Sequence, residues 1–136
     1  MTTKTVNVSE LEGVALDWAV AKVEGMEVVI HDPSTTRFDI RGGIHCSRWG
    51  CTFGPKSSQH ETKEYSPSTD WSQGGPLIEK QGIWLSDDAI DEPKGPWVAS
   101  VYGAHMQYAK TPLIAACRAI VAAHFGDTVE VPEVLL

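Results

Sequence analysis

Between Tyr65 and Gly75 the chain gathers hydroxyls, a carboxylate, two aromatic rings and a Gly-Gly pair, directly ahead of Pro76. A stacking surface, short polar side chains and unhindered backbone N–H groups are what a site for a small polar or anionic ligand requires. On this reading Trp71 or Tyr65 stacks on a planar ring, and Ser68, Thr69 and Asp70 hydrogen-bond to hydroxyls or ring edges. Gly74, Gly75 and the first turn after Pro76 then offer amides to an anionic group. The competing reading uses the same residues structurally: Ser68, Thr69 or Asp70 caps a turn, Trp71 packs inside, and the glycines bend the chain.

Arg118 stands among apolar neighbours, and two roles are open for it. It pairs with a buried carboxylate such as Asp17 or Asp70, or it points its planar fork into a pocket and holds a phosphate or carboxylate. Arg37, Arg41, Arg48 and His105 are further anion contacts or solvated side chains.

His31, His45, Cys46, Cys51 and His60 carry the nitrogen and sulfur donors that zinc prefers. The spacing from Cys46 to Cys51 is looser than in structural zinc motifs and no second tight pair follows, so free thiols and surface imidazoles are expected. Cys46, Cys51 and His60 are the metal candidates if zinc binds at all. Cys51 beside His60 or His45 lacks the local signature and orienting group of a catalytic thiol. Asp70 with His60 or His105 is a weak hydrolase pair, and no cofactor is called for. The acidic turn Asp87–Glu92 lacks the glycine and spacing of a calcium loop. Trp18, Trp84 and Trp97 are expected to pack in the core, which leaves Trp49 and Trp71 as candidate exposed platforms.

Several elements would position these residues. Ser9 and Glu12 have capping-box spacing, Val8 precedes them, and the apolar face from Leu11 to Val23 predicts a helix over 10–24 ending at Gly25. Met26–His31 and Thr36–Ile40 read as strands, and residues 42–64 as a long irregular loop, an insertion or an irregular strand pair. Pro76 suits the first position of a short helix over 76–81 stopped by Gly82. Strands are predicted at 83–85 and 97–102, with 105–108 continuing a hairpin. Thr111 as N-cap, Pro112 at the first position and the Ala-rich run to Phe125 predict a deeply placed last helix closed by Gly126, followed by an edge strand at 129–131. The order predicts an α+β fold: a small, mainly antiparallel sheet carrying two longer helices and one short one, in a single domain over 1–136.

A net charge of −7 with no run of basic residues argues against duplex nucleic acid as a partner, because affinity there rests on Lys and Arg at phosphates. No apolar run reaches the roughly 20 residues that span a bilayer, and the opening Met-Thr-Thr-Lys-Thr-Val has no signal-peptide core, so no membrane partner is expected. Homo-oligomerisation is left open.

Three blocks, Ala15–Ala21, residues 65–81 and residues 111–131, resemble the NinX-like proteins of tailed bacteriophages and prophages, in the family's order. Residues 42–64 look longer and richer in Cys and His than that family's counterpart. The resemblance implies a phage-encoded accessory protein acting in the cytoplasm of an infected bacterium, and it brings no catalytic residue with it. Together with the loop chemistry, it leads to the expectation of a small-ligand binding protein. The ligand would be nucleotide-like, a host immune signal held without turnover. A protein–protein interaction module is the alternative, and a small nucleotide hydrolase a weaker one.

Overall fold

The computed structural model describes residues 3–25, 28–31, 43–46 and 63–136. Their elements run β1 (Thr3–Asn7), a 3-10 turn (Val8–Glu10), α1 (Gly13–Val23), β2 (Val28–His31), β3 (Gly43–Cys46) and β4 (Lys63–Glu64). Then come α2 (Trp71–Gln81), β5 (Ile83–Ser86), β6 (Trp97–Val101), β7 (Ala104–Ala109), α3 (Pro112–Phe125), β8 (Thr128–Pro132) and a closing 3-10 turn (Glu133–Leu135). The strands form three antiparallel sheets in the orders β1-β8, β2-β3-β4 and β5-β6-β7. The α+β expectation holds.

The last helix forms as its sequence predicts. Thr111 Oγ1 accepts from Ile114 N at 3.2 Å, Pro112 opens the helix and Gly126 ends it with φ +89°. Its burial on most sides follows from being packed twice. Ala115 and Ala119, one turn apart, join Ala99, Val101 and Ala109 of the β5-β6-β7 sheet. Cys117, Ile120 and Val121 join Ala15, Leu16, Ala19 and Val20 of α1. Small residues on the sheet side let helix and strands approach closely, so dispersion contacts replace bulk.

The 129–131 strand is present as β8, and its partner is the N-terminal β1, which periodicity did not reveal. Val6 faces Val129, and Val8 N donates to Asp127 O at 2.9 Å, continuing the ladder into the first turn. The first helix departs from expectation. Ser9 lies in the 3-10 turn, and α1 begins at Gly13 behind Glu12, whose side chain makes no capping bond. Val8 and Leu11 are both buried in the core, so burial of this apolar pair holds the chain in a separate turn in place of the capping box. Gly25 follows the helix at φ +71° as expected.

The second helix is longer than the 76–81 segment. Asp70 caps it, accepting from Ser72 N at 2.9 Å and from Ser72 Oγ at 2.6 Å, and Pro76 lies inside it. Steric conflict between a proline and the residue before it normally stops a helix there. Here that residue is Gly75, which has no Cβ to clash, and the cap at Asp70 prevails. Gly82 stops the helix in the left-handed region as predicted. Glu24 ties the ends of α1 and α2 together by pairing with Lys80 and accepting from Gln81 Nε2 at 3.2 Å.

The hairpin β6–β7 turns through Tyr102 and Gly103, both at positive φ, and a bulge at His105 (φ 51°) shifts the register between Ala99 and Val101. Strands β3 and β4 realise the strand-pair reading of part of 42–64. Thr36–Ile40, Trp49 and the rest of that stretch lie outside the described residues. Trp84 is a correction: it is 50% exposed, because alternation in β5 turns Ile83 and Leu85 toward α3 and sends Trp84 to the opposite face.

The two glycines of α2 differ sharply. A Cβ on Gly74 would stand 2.6 Å from Leu113 Cδ2 and closer still to the Pro67 carbonyl, whereas one on Gly75 meets nothing nearer than Trp71 at 4.0 Å. Gly74→Ala is therefore expected to destabilise by about 1–3 kcal/mol through overpacking. Gly75→Ala restores the Cβ that opposes Pro76, which offsets the helix-propensity gain of about 0.5–1 kcal/mol, so this change is expected to be close to neutral. Urea unfolding of the two variants checks the difference.

Candidate functional site

The 65–70 segment is held from several directions. Thr69 N and Asp70 N both donate to Ser66 O (3.1 and 2.9 Å), and Ser66 N donates to Gln73 Oε1 at 2.7 Å. The long-range tie is Ser68 N to Asp17 Oδ1 at 2.9 Å, a buried bond joining this corner to α1. Ser68 is 2% exposed, and Tyr65 and Gly74 are buried as well. Gly74 N donates to Asp70 O at 2.8 Å, and Gly75 lies within the helix.

Within the cradle expected at 65–76, the helix starts five residues before Pro76 and contains both glycines, and the Gly74 amide belongs to its hydrogen-bond ladder. Asp70 serves as a cap, and Ser68 packs inside with its hydroxyl enclosed and without a partner among the described residues. Thr69 and Trp71 stay accessible, the indole being 56% exposed.

Arg118 points elsewhere. It is 7% exposed, its Nε donating to Leu11 O and its Nη1 to Tyr108 O, both at 2.7 Å. Asp17, one expected partner, is engaged by Ser68 N, and among the described residues no carboxylate lies at ion-pair distance from the guanidinium. Nη2 has no hydrogen-bond partner there either. Burial pulls this group down from its ordinary range, and the Glu12 and Glu10 carboxylates act in the opposite direction. It stays charged at neutral pH, since an arginine starts far above it.

Arg118 lines a recess of about 260 Å³ that contains no residue of 65–76. Lys94 and Lys110 supply two further cations, Ser9, Glu10 and Glu12 a polar wall, and Pro93 and Ile114 an apolar one. Lys94 reaches across from the β5–β6 connection, donating to Ser9 O and Ser9 Oγ at 3.3 and 3.2 Å. The 3-10 turn places Ser9 and Glu10, and Glu12 directly precedes α1. Ile114 and Arg118, four residues apart, share one face of α3, and Lys110 lies just before its Thr111 cap. Nothing local marks Lys94, Lys110, Glu10 or Glu12. Three cations against two carboxylates leave the recess positive in a protein of net charge −7.

Of the metal candidates, Cys46 has its backbone in β3 opposite Val28 and Lys63, while Cys51 and His60 lie outside the described residues. Among the described residues no group of three or more His, Cys, Asp or Glu is placed to hold a metal ion. Cys117 is buried against α1, and burial, then the Asp17 carboxylate, push its thiol well above the usual range.

Fold and recess together define a small α+β protein whose antiparallel hairpins and first helix enclose a central helix, with a cationic recess at that helix's head. Among the described residues no helix is long and apolar enough to cross a membrane. The family model described as Bacteriophage P22, NinX matches residues 7–124, from the end of β1 almost to the end of α3, and the chain belongs to that family. No curated protein matches it.

Two outcomes follow for the buried groups. Asp17→Ala leaves Ser68 N buried without an acceptor and is expected to cost about 1–3 kcal/mol in denaturant unfolding. With Cys46 and Cys51 changed to serine, Cys117 should react with a chromogenic disulfide reagent only after unfolding, because its thiolate is suppressed in the native state. Prompt native labelling would contradict the burial described.

Proposed function

We propose that this NinX-family protein binds a compact anionic, nucleotide-like small molecule in the Arg118 recess and acts by holding it, without catalysis. The observation that carries this reading is a buried guanidinium fixed by two backbone carbonyls, with one nitrogen unused and no neutralising carboxylate at ion-pair distance among the described residues. An anion entering the recess meets a pre-oriented fork flanked by Lys94 and Lys110. Little side-chain entropy is lost at Arg118 on binding, because the protein has already fixed it. Local cations focus the field, so a negative total charge does not oppose a small anion as it opposes duplex nucleic acid.

For a phage in an infected cell, withdrawing a host signalling nucleotide from solution requires affinity and copy number only. That suits a site whose lining offers cations and hydrogen-bond donors. The exposed faces of Trp71 and Trp84 favour the second reading, an interaction module acting on a host or phage protein.

The test is to purify the protein from infected cells, denature it, and analyse released compounds by mass spectrometry beside a Lys110→Ala variant. Lys110 is exposed, so its removal leaves the fold intact while taking away a rim cation. Recovery of a phosphorylated small molecule from the parent, with at least about a tenfold loss of affinity in the variant (about 1.4 kcal/mol), supports binding. Empty protein that brings down a host protein instead favours the interaction module.

A further inference from the structure

Resting on that reading, we infer that the recess recognises the pentose-phosphate portion of its ligand and leaves any base outside. Arg118, with its unused Nη2, and Lys110 take the phosphate. Glu10 and Glu12 line the same recess, and among the described residues their carboxylates neither accept a hydrogen bond nor join an ion pair. Carboxylates are acceptors only, so a bare anion placed here meets repulsion from them. A ligand that carries hydroxyl donors next to its phosphate satisfies both walls, much as an acidic side chain holds ribose hydroxyls at dinucleotide sites.

Size points the same way. About 260 Å³ falls below the range of roughly 300–1,000 Å³ usual for pockets that enclose drug-sized ligands. A phosphate with one sugar ring fits that space, its apolar ring face against Ile114. A purine or pyrimidine would project into solvent, where the described lining has no aromatic partner for it.

Calorimetric titration with ribose 5-phosphate, 2-deoxyribose 5-phosphate, AMP, UMP and inorganic phosphate tests this, on the parent, on a Glu10→Ala/Glu12→Ala double variant and on Lys110→Ala. Ribose 5-phosphate, AMP and UMP should bind alike and at least about tenfold tighter than inorganic phosphate, with the deoxy sugar weaker. The double variant should erase the advantage of the sugar while leaving inorganic phosphate as tight or tighter, and Lys110→Ala should weaken every compound. If phosphate matches ribose 5-phosphate, if the glutamate changes leave the ratio alone, or if AMP and UMP differ strongly, the pentose inference is overturned and anion binding survives. If no compound binds the parent, both readings fail together.

Discussion

The double packing of α3 is the constraint on which the other elements depend. A helix with Ala115 and Ala119 on one side and Cys117, Ile120 and Val121 on the other has almost no face for water. It must lie between two apolar layers, the β5-β6-β7 sheet and α1. Once it does, Arg118 meets solvent only through the recess that it lines. Its guanidinium donates to the carbonyls of Leu11, in the turn before α1, and of Tyr108 in β7. An arginine that would be an awkward charge on an isolated helix thus becomes a cross-tie and, with its remaining nitrogen, the base of a recess.

The same geometry separates two features that lie in one site if only residue types are considered. Residues 65–70 are drawn inward by Ser68 N on Asp17 and by Gly74 against Leu113, so they form a structural corner between α1, α2 and α3. Hydroxyls and glycines serve this purpose as well as they serve a ligand: short polar side chains satisfy a tight turn, and a missing Cβ permits close approach. Which of the two uses such a segment serves depends on which neighbour it packs under, and residue types alone do not record that. Thr69 and Trp71 remain outward.

Local signals succeeded where one residue does one job within a few positions. Thr111 capping α3, Gly82 and Gly25 ending helices, and the hairpin strands after α2 all follow from steric or hydrogen-bonding preferences of the residues concerned. They failed where a rule was outweighed. Pro76 would open a helix, but Asp70 caps earlier and Gly75 relieves the clash. Ser9 and Glu12 would form a capping box, but burial of Val8 and Leu11 holds that stretch as a separate turn. Strand β1 carries a single valine in five residues and acquires its identity from β8, more than a hundred positions away.

From its residues alone the chain determined an α+β class, a deeply buried final helix and membership of a phage family. It also marked a lone arginine worth following. Helix caps, glycine stops and apolar periodicity act over a handful of positions, and one sequence displays all of them. The tertiary structure decided what surrounds Arg118. Lys94, Glu10 and Glu12 come to it from the β5–β6 connection and the first turn, far away along the chain. Their arrival follows from how sheet and helices stack, a collective outcome of core packing that no local residue pattern records.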